Sequence, residues 1–113
     1  MSIAQTPEPP YYAVIFTSIR TDLSEGYDET AQRMELAVTM PGFLGVESAR
    51  NDVGIRVSYW RTLDDIACWR EHAEHRLAQQ MSRSTWYSSY TTRICRVERA
   101  YSHKKTQHPE DKP

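Results

Sequence analysis

The sequence predicts a single α+β domain in which four antiparallel strands form one sheet carrying two helices on one of its faces. Two observations support this. Runs rich in β-branched and aromatic residues alternate with two stretches of helical periodicity, in the order β-α-β-β-α-β. The first strand, YYAVIFTSI, is also apolar in the middle of both of its faces, so it must be covered on both sides. Two helices suffice to cover one side of such a sheet. The arrangement this order implies is the split βαβ, or ferredoxin-like, fold.

The elements follow in turn. Tyr11–Ile19 is the first strand, with Tyr11, Ala13, Ile15, Thr17 and Ile19 on one face and Tyr12, Val14, Phe16 and Ser18 on the other. After the polar turn TDLSEG, Tyr27–Met40 reads as the first helix, with Tyr27, Ala31, Met34 and Val38 as its buried stripe, and Pro41-Gly42 ends it. Phe43–Arg50 and Ile55–Arg61 are strands joined through the tight Asn51–Gly54 turn. The stretch Leu63–Tyr87 is the second, longer helix. Thr62 stands where a hydroxyl accepts from a first-turn N–H, and Asp64 and Asp65 suit the positive end of the helix dipole. Ile66, Ala73, Leu77 and Met81 make its buried face, with Trp69, His72 and Arg76 as a row along the flank. Ser88–Tyr101 is the last strand. Residues 1–10, with three prolines, and the polar residues 102–113 read as mobile tails around a domain at 11–101.

Composition narrows the function. Fourteen basic and 15 acidic residues are mixed along the 113-residue chain, giving a net charge of −1 and no basic stripe for nucleic acid. No apolar run is long enough for a membrane span, and MSIAQTPEPP lacks the apolar core of a signal peptide, so a cytoplasmic location without membrane contact is expected. Cys68 and Cys95 have no metal-ligand spacing and read as reduced, packed thiols. A sheet face not covered by helices would be a large apolar patch, and the simplest cover is the same face of a second copy. A two-fold homodimer is therefore expected.

The candidate chemistry lies around the long helix. Trp69 and Trp60 are either core side chains or the wall of a pocket. His72, on the flank with Trp69, is the acid/base candidate, because its ordinary pKa lies near neutrality; the alternative is a half-exposed ring bonded to a neighbouring carbonyl. His72 and His75 point apart and lack a third ligand, so no metal is expected. Arg93, Arg96 and Arg99 are either anion-binding groups or charges paired at the sheet edge. There is no Gly-rich phosphate loop, no Ser-His-Asp arrangement and no flavin fingerprint, and hence no cofactor is expected.

The segments PGFLGVESAR, VSYW and WREHAEHRLAQQMSRSTWY, followed by RVERAY, together resemble the antibiotic biosynthesis monooxygenase domain family over nearly all of residues 11–101. The resemblance implies a ferredoxin-like fold paired as a dimeric α+β barrel. It also implies one of several activities: oxygenation of polycyclic quinone-type substrates without a cofactor, heme degradation, or none yet assigned. The heme-degrading branch carries an Asn on the first strand, where this chain has Thr17 or Ser18, and a Trp on the long helix, matched by Trp69. Its His falls at or near Gln79, so the usual proximal ligand is missing and heme degradation is the lesser reading. In the quinone-oxidising branch the pocket residues are Trp, Tyr, Asn and Arg, to which Trp60, Trp69, Tyr87 and Arg93 correspond in type. Two functions are carried forward. One is a cofactor-independent monooxygenase whose Trp60, Trp69 and Tyr87 clamp an aromatic or quinol ligand while His72 or Arg93 stabilises its anion. The other is a non-enzymatic dimeric binding or stress-associated protein whose pocket is filled by its own aromatic side chains.

Overall fold

The computed structural model describes residues 2–20, 36–78 and 87–104. Four strands, β1 (Tyr11–Arg20), β2 (Phe43–Arg50), β3 (Gly54–Trp60) and β4 (Tyr87–Val97), form one antiparallel sheet in the order β2-β3-β1-β4. With its two helices this is the ferredoxin-like α+β fold. The long helix spans Leu63–Ala78, and the described end of the first helix covers residues 36–39.

Local chemistry explains the boundaries. Thr62 caps the long helix: its hydroxyl accepts from the Asp65 N–H at 3.0 Å and donates to Asp65 Oδ2 at 2.8 Å, so the cap and the third helical residue hold each other. The same carboxylate requires Gly42, which has φ +84° and where a Cβ would fall 2.0 Å from Asp65 Oδ2. Tyr87, placed by the sequence at the end of the helix, is instead the first residue of β4. At the other end β4 stops at Val97 rather than Tyr101, because Val97 pairs with Tyr11 and β1 offers no earlier residue to continue the ladder.

The register sorts the side chains into two faces. Tyr12, Val14, Phe16 and Ser18 of β1 stand beside Trp60, Ser58, Arg56 and Gly54 of β3. This is the helix face, because Val14 and Trp60 are buried in one cluster with Ala37, Ile66 and Trp69, flanked by Tyr12, Leu36, Met40 and Phe43. The buried position near the end of the first helix is Ala37, at 0% exposure; Val38, expected there, is 61% exposed. Ala37 belongs to the buried cluster of Trp60 and Trp69, whereas Val38 falls on the adjacent, outward side of the turn. Tyr27, Ala31, Met34 and Met81 lie outside the described residues.

The opposite, open face carries Tyr11, Ala13, Ile15 and Ile19 of β1 with Ile55, Val57 and Tyr59 of β3. The N-terminal residues lie against one end of it. Ala4 N–H donates to Glu47 Oε2 at 2.9 Å, and the Thr6 hydroxyl donates to the Tyr11 hydroxyl at 2.9 Å. Composition alone gives no sign of these contacts. Away from them the β1 and β3 part of the face is mainly apolar, with Ile19 44% and Ile55 47% exposed, while β4 adds Thr91 and Arg93 beside it.

Candidate functional site

The helix face of the sheet can be read as rows crossing all four strands, from β4 through β1 and β3 to β2. Arg96, Tyr12, Trp60 and Phe43 form the first row; Ile94, Val14, Ser58 and Val46 the second. Thr92, Phe16, Arg56 and Ser48 form the third, and Tyr90, Ser18, Gly54 and Arg50 the fourth. The face therefore changes character along its length, from aromatic and aliphatic at the Trp60 end to polar and cationic at the Ser18 end.

The Trp60 end is a buried aromatic cluster. Trp60 stacks on Trp69 with ring centroids 4.9 Å apart, and Phe43 meets Trp60 edge-on at 5.5 Å. The Trp60 indole N–H, deep in this cluster, donates to the Ser58 hydroxyl at 2.9 Å, which explains a serine buried to 2% exposure. Trp60 and Trp69, at 0% and 4% exposure, are core side chains.

The other residues proposed from sequence are not brought to them. His72 is exposed; its Nδ1 lies 2.9 Å from the Cys68 carbonyl oxygen one turn back and 3.9 Å from Cys68 Sγ. Three residues past Trp69, it stands about 60° further round the helix, beyond the rim that the large Trp69 ring still reaches across. Arg93 pairs with Ile15 and so belongs to the open face, with the whole sheet between it and the two tryptophans. The side chains of Tyr87 and His75, and the whole of Gln79, lie outside the described residues. Cys68 and Cys95 are exposed rather than packed. Neither position faces the core: Cys68 is on the outer side of the long helix, and Cys95 stands beside Ala13 on the open face.

The Ser18 end was missed by sequence reasoning. Arg50 donates from Nη2 to the Ser18 hydroxyl at 2.5 Å, reaching from β2 across β3 to β1, and Ser18 is 1% exposed. Phe16 and Tyr90 pack at 5.4 Å with 34° between their planes. Two arginines, a buried hydroxyl and two rings thus share neighbouring rows. The signal was present in β3, whose helix-facing residues read Gly-Arg-Ser-Trp, a polar row for an inward face.

On the open face, Tyr59 donates to Glu47 Oε1 at 2.7 Å, and its ring meets Tyr11 edge-on at 5.9 Å. Burial, reinforced by the hydrogen bond to Glu47 and its negative charge, pushes the Tyr59 hydroxyl up to about 12. Glu47 therefore joins the N-terminal segment to β3. Among the described residues no group of three or more His, Cys, Asp or Glu could hold a metal ion, and no helix is long and apolar enough to cross a membrane.

No family profile matches the chain. YqjZ of Bacillus subtilis (strain 168), an uncharacterised protein, is 53% identical to it over 100 residues, covering 86% of this chain and 88% of YqjZ. The chain belongs to the YqjZ family. The fold of this YqjZ-family chain is that of antibiotic biosynthesis monooxygenase-like proteins. One from Nitrosomonas europaea superposes with a TM-score of 0.62 at 18% identity, covering 82% of this chain and 94% of that one. SnoaB of Streptomyces nogalater, a cofactor-independent oxygenase, superposes with a TM-score of 0.53 at 11% identity, covering 88% of this chain and 97% of SnoaB. At such identities the likeness is one of fold, and the resemblance read from the sequence holds at that level.

Proposed function

We propose that this YqjZ-family protein is a small oxygenase that oxidises an aromatic or quinol-type ligand without a bound cofactor, working as a homodimer. The observation that carries the reading is the change along the helix face from a sealed aromatic core to a polar, cationic end with the Phe16–Tyr90 ring pair. A ring system packs on rings, and a cationic neighbour favours the ionised form of a hydroxyl attached to it. An ionised quinol is electron-rich enough to react with dioxygen directly, so the protein's part is to bind it, orient it and favour its anion. His72, exposed on the long helix, and Arg93, on the opposite face of the sheet, both stand away from this ring pair. The cofactor-independent oxygenase SnoaB, which shares the fold, supports the same reaction class.

The homodimer rests on the open face. Ile15, Ile19, Ile55 and Val57 form an apolar strip that no helix among the described residues covers, and a second copy of the same face would cover it with matching chemistry.

A panel of dihydroxynaphthalenes and anthracene quinols, followed by oxygen uptake and absorbance, tests the reaction. Uptake well above that of heat-denatured protein is expected for at least one member, and background rates throughout would overturn the reading. One observation favours a second function, a non-enzymatic binding protein. Of the two readings left open for Trp60 and Trp69, core side chain or pocket wall, their burial against each other favours the core, which suits a binding protein with a filled interior.

A further inference from the structure

We propose that Arg93 pairs across the open face with Glu47 of the partner subunit, so that the carboxylate holding the N-terminal segment also fixes how two copies stack. The inference rests on the homodimer reading and is independent of any reaction with oxygen.

The open face is built in rows, as the helix face is. Arg93, Ile15, Val57 and Glu47 stand side by side on β4, β1, β3 and β2. The row carries a cation at one edge of the sheet, an anion at the other and two aliphatic side chains between them. The neighbouring rows, from Cys95 to Gly45 and from Thr91 to Ala49, bring no charge to this face. Three strand spacings, about 14 Å, separate the two edges. Among the described residues Arg93 is exposed and joined to no other side chain by a hydrogen bond or ion pair.

Such a row is complementary to itself. A two-fold axis parallel to the strands turns one copy over so that its β2 edge covers the β4 edge of the other. Each Arg93 then faces Glu47 of the partner subunit, and Ile15 and Val57 meet in the centre. A two-fold axis across the strands lays like edges on each other, and brings arginine toward arginine and glutamate toward glutamate. Charge therefore selects the first arrangement. Stacked sheets lie about 10 Å apart, a gap that an arginine and a glutamate reaching toward each other can span.

Glu47 is set for this contact in advance. Its Oε1 accepts from the Tyr59 hydroxyl at 2.7 Å and its Oε2 from the Ala4 N–H at 2.9 Å. Both oxygens are thus held, while a carboxylate has further lone pairs to offer a guanidinium. An acceptor fixed in this way loses little freedom when the arginine reaches it. The aliphatic strip drives association, and the charges decide which way round the copies meet.

Sedimentation velocity over a concentration series, together with cross-linking, tests the pairing. Arg93→Glu sets two carboxylates against each other at both ends and is expected to weaken the dimer at least about tenfold, and Arg93→Gln about threefold. Arg96→Glu makes the same charge change on the helix face of the same strand and should stay within about twofold. For the cross-link, Ala49→Cys and Thr91→Cys are made separately in a Cys68→Ser, Cys95→Ser background. A short bismaleimide should join these two variants when they are mixed and allowed to exchange, and should join neither to itself. A native dimer that Arg93→Glu weakens no more than Arg96→Glu does would overturn the proposal while sparing the homodimer. So would cross-linking of either cysteine variant with itself, or none in the mixture while the dimer persists. A native chain that is monomeric would remove the homodimer and this pairing together.

Discussion

Trp60 and Trp69 stack with 24° between their planes and a centroid separation of 4.9 Å, one contributed by the end of β3 and the other by the second turn of the long helix. This contact ties the sheet to that helix. Trp69→Ala should cost about 3–5 kcal/mol in denaturant unfolding, and Trp69→Phe clearly less, because a ring still meets Trp60. Either change should abolish the coupled indole signal in near-ultraviolet circular dichroism. An unchanged spectrum would show that the two rings do not stack in solution.

Ser58→Ala leaves the indole N–H of Trp60 buried with its acceptor removed. A loss of about 1–3 kcal/mol is expected from this one oxygen atom, more than a serine on a solvated strand would cost. Equilibrium unfolding in urea measures it, and a cost below about 0.5 kcal/mol would mean that water replaces the hydroxyl.

His72→Ala should be silent. The ring is exposed and contacts the carbonyl of Cys68 on its own helix, so stability should change by no more than about 0.5 kcal/mol. Any oxygen uptake found for the native protein should persist in the variant. A complete loss of turnover in a folded His72→Ala protein would return the imidazole to the reaction.

The Tyr59–Glu47 contact sets an alkaline limit. The Tyr59 hydroxyl ionises at its ordinary value of 10.0 in the unfolded chain and at about 12 in the folded one, so between these values the folded state holds the proton more tightly. The associated stability is complete below pH 10 and is lost as pH rises from 10 through 12. Tyr59→Phe should therefore give a flatter stability profile over that interval, measured by urea midpoints at successive pH values. Identical slopes for the two proteins would show that the hydroxyl is not held in this way.

Association should respond to one face of β1 and not to the other. Ile15→Asp and Val57→Asp place charges beside each other's strand on the open face, and should give folded monomers in sedimentation velocity where the native chain is expected to sediment as a dimer. Val14→Asp, one residue away but buried in the Trp60 cluster, should unfold the protein. A native chain that is monomeric at micromolar concentration would overturn the homodimer.

The strands and their order were legible because β-branched and aromatic runs are confined to them, and the Thr62 cap was legible because its chemistry is local. The facing of the strands was not. In β3 the more apolar set, Ile55, Val57 and Tyr59, looks inward by ordinary alternation, yet it lies on the open face, while Arg56 and Ser58 look toward the helices. Alternation orients a strand only when its apolar side is the one that the rest of the chain covers, and in β3 the more apolar side is the open one. The candidate site suffered from the same ambiguity. His72 and Arg93 were chosen for their chemistry, but one stands past the helix rim and the other beneath the sheet. Arg50, at the end of a strand beside a turn, looks like a solvated charge until the register reveals Gly54 beside it and Ser18 beyond.

The hydrogen bond from Ala4 to Glu47 has a practical consequence for handling the protein. Whatever is fused ahead of Met1 enters three residues before that anchor and is delivered onto the apolar side of the sheet, close to Tyr11 and Tyr59. A purification tag there would crowd the surface on which a second copy is expected to settle. It could make a self-associating protein run as a single copy on a sizing column.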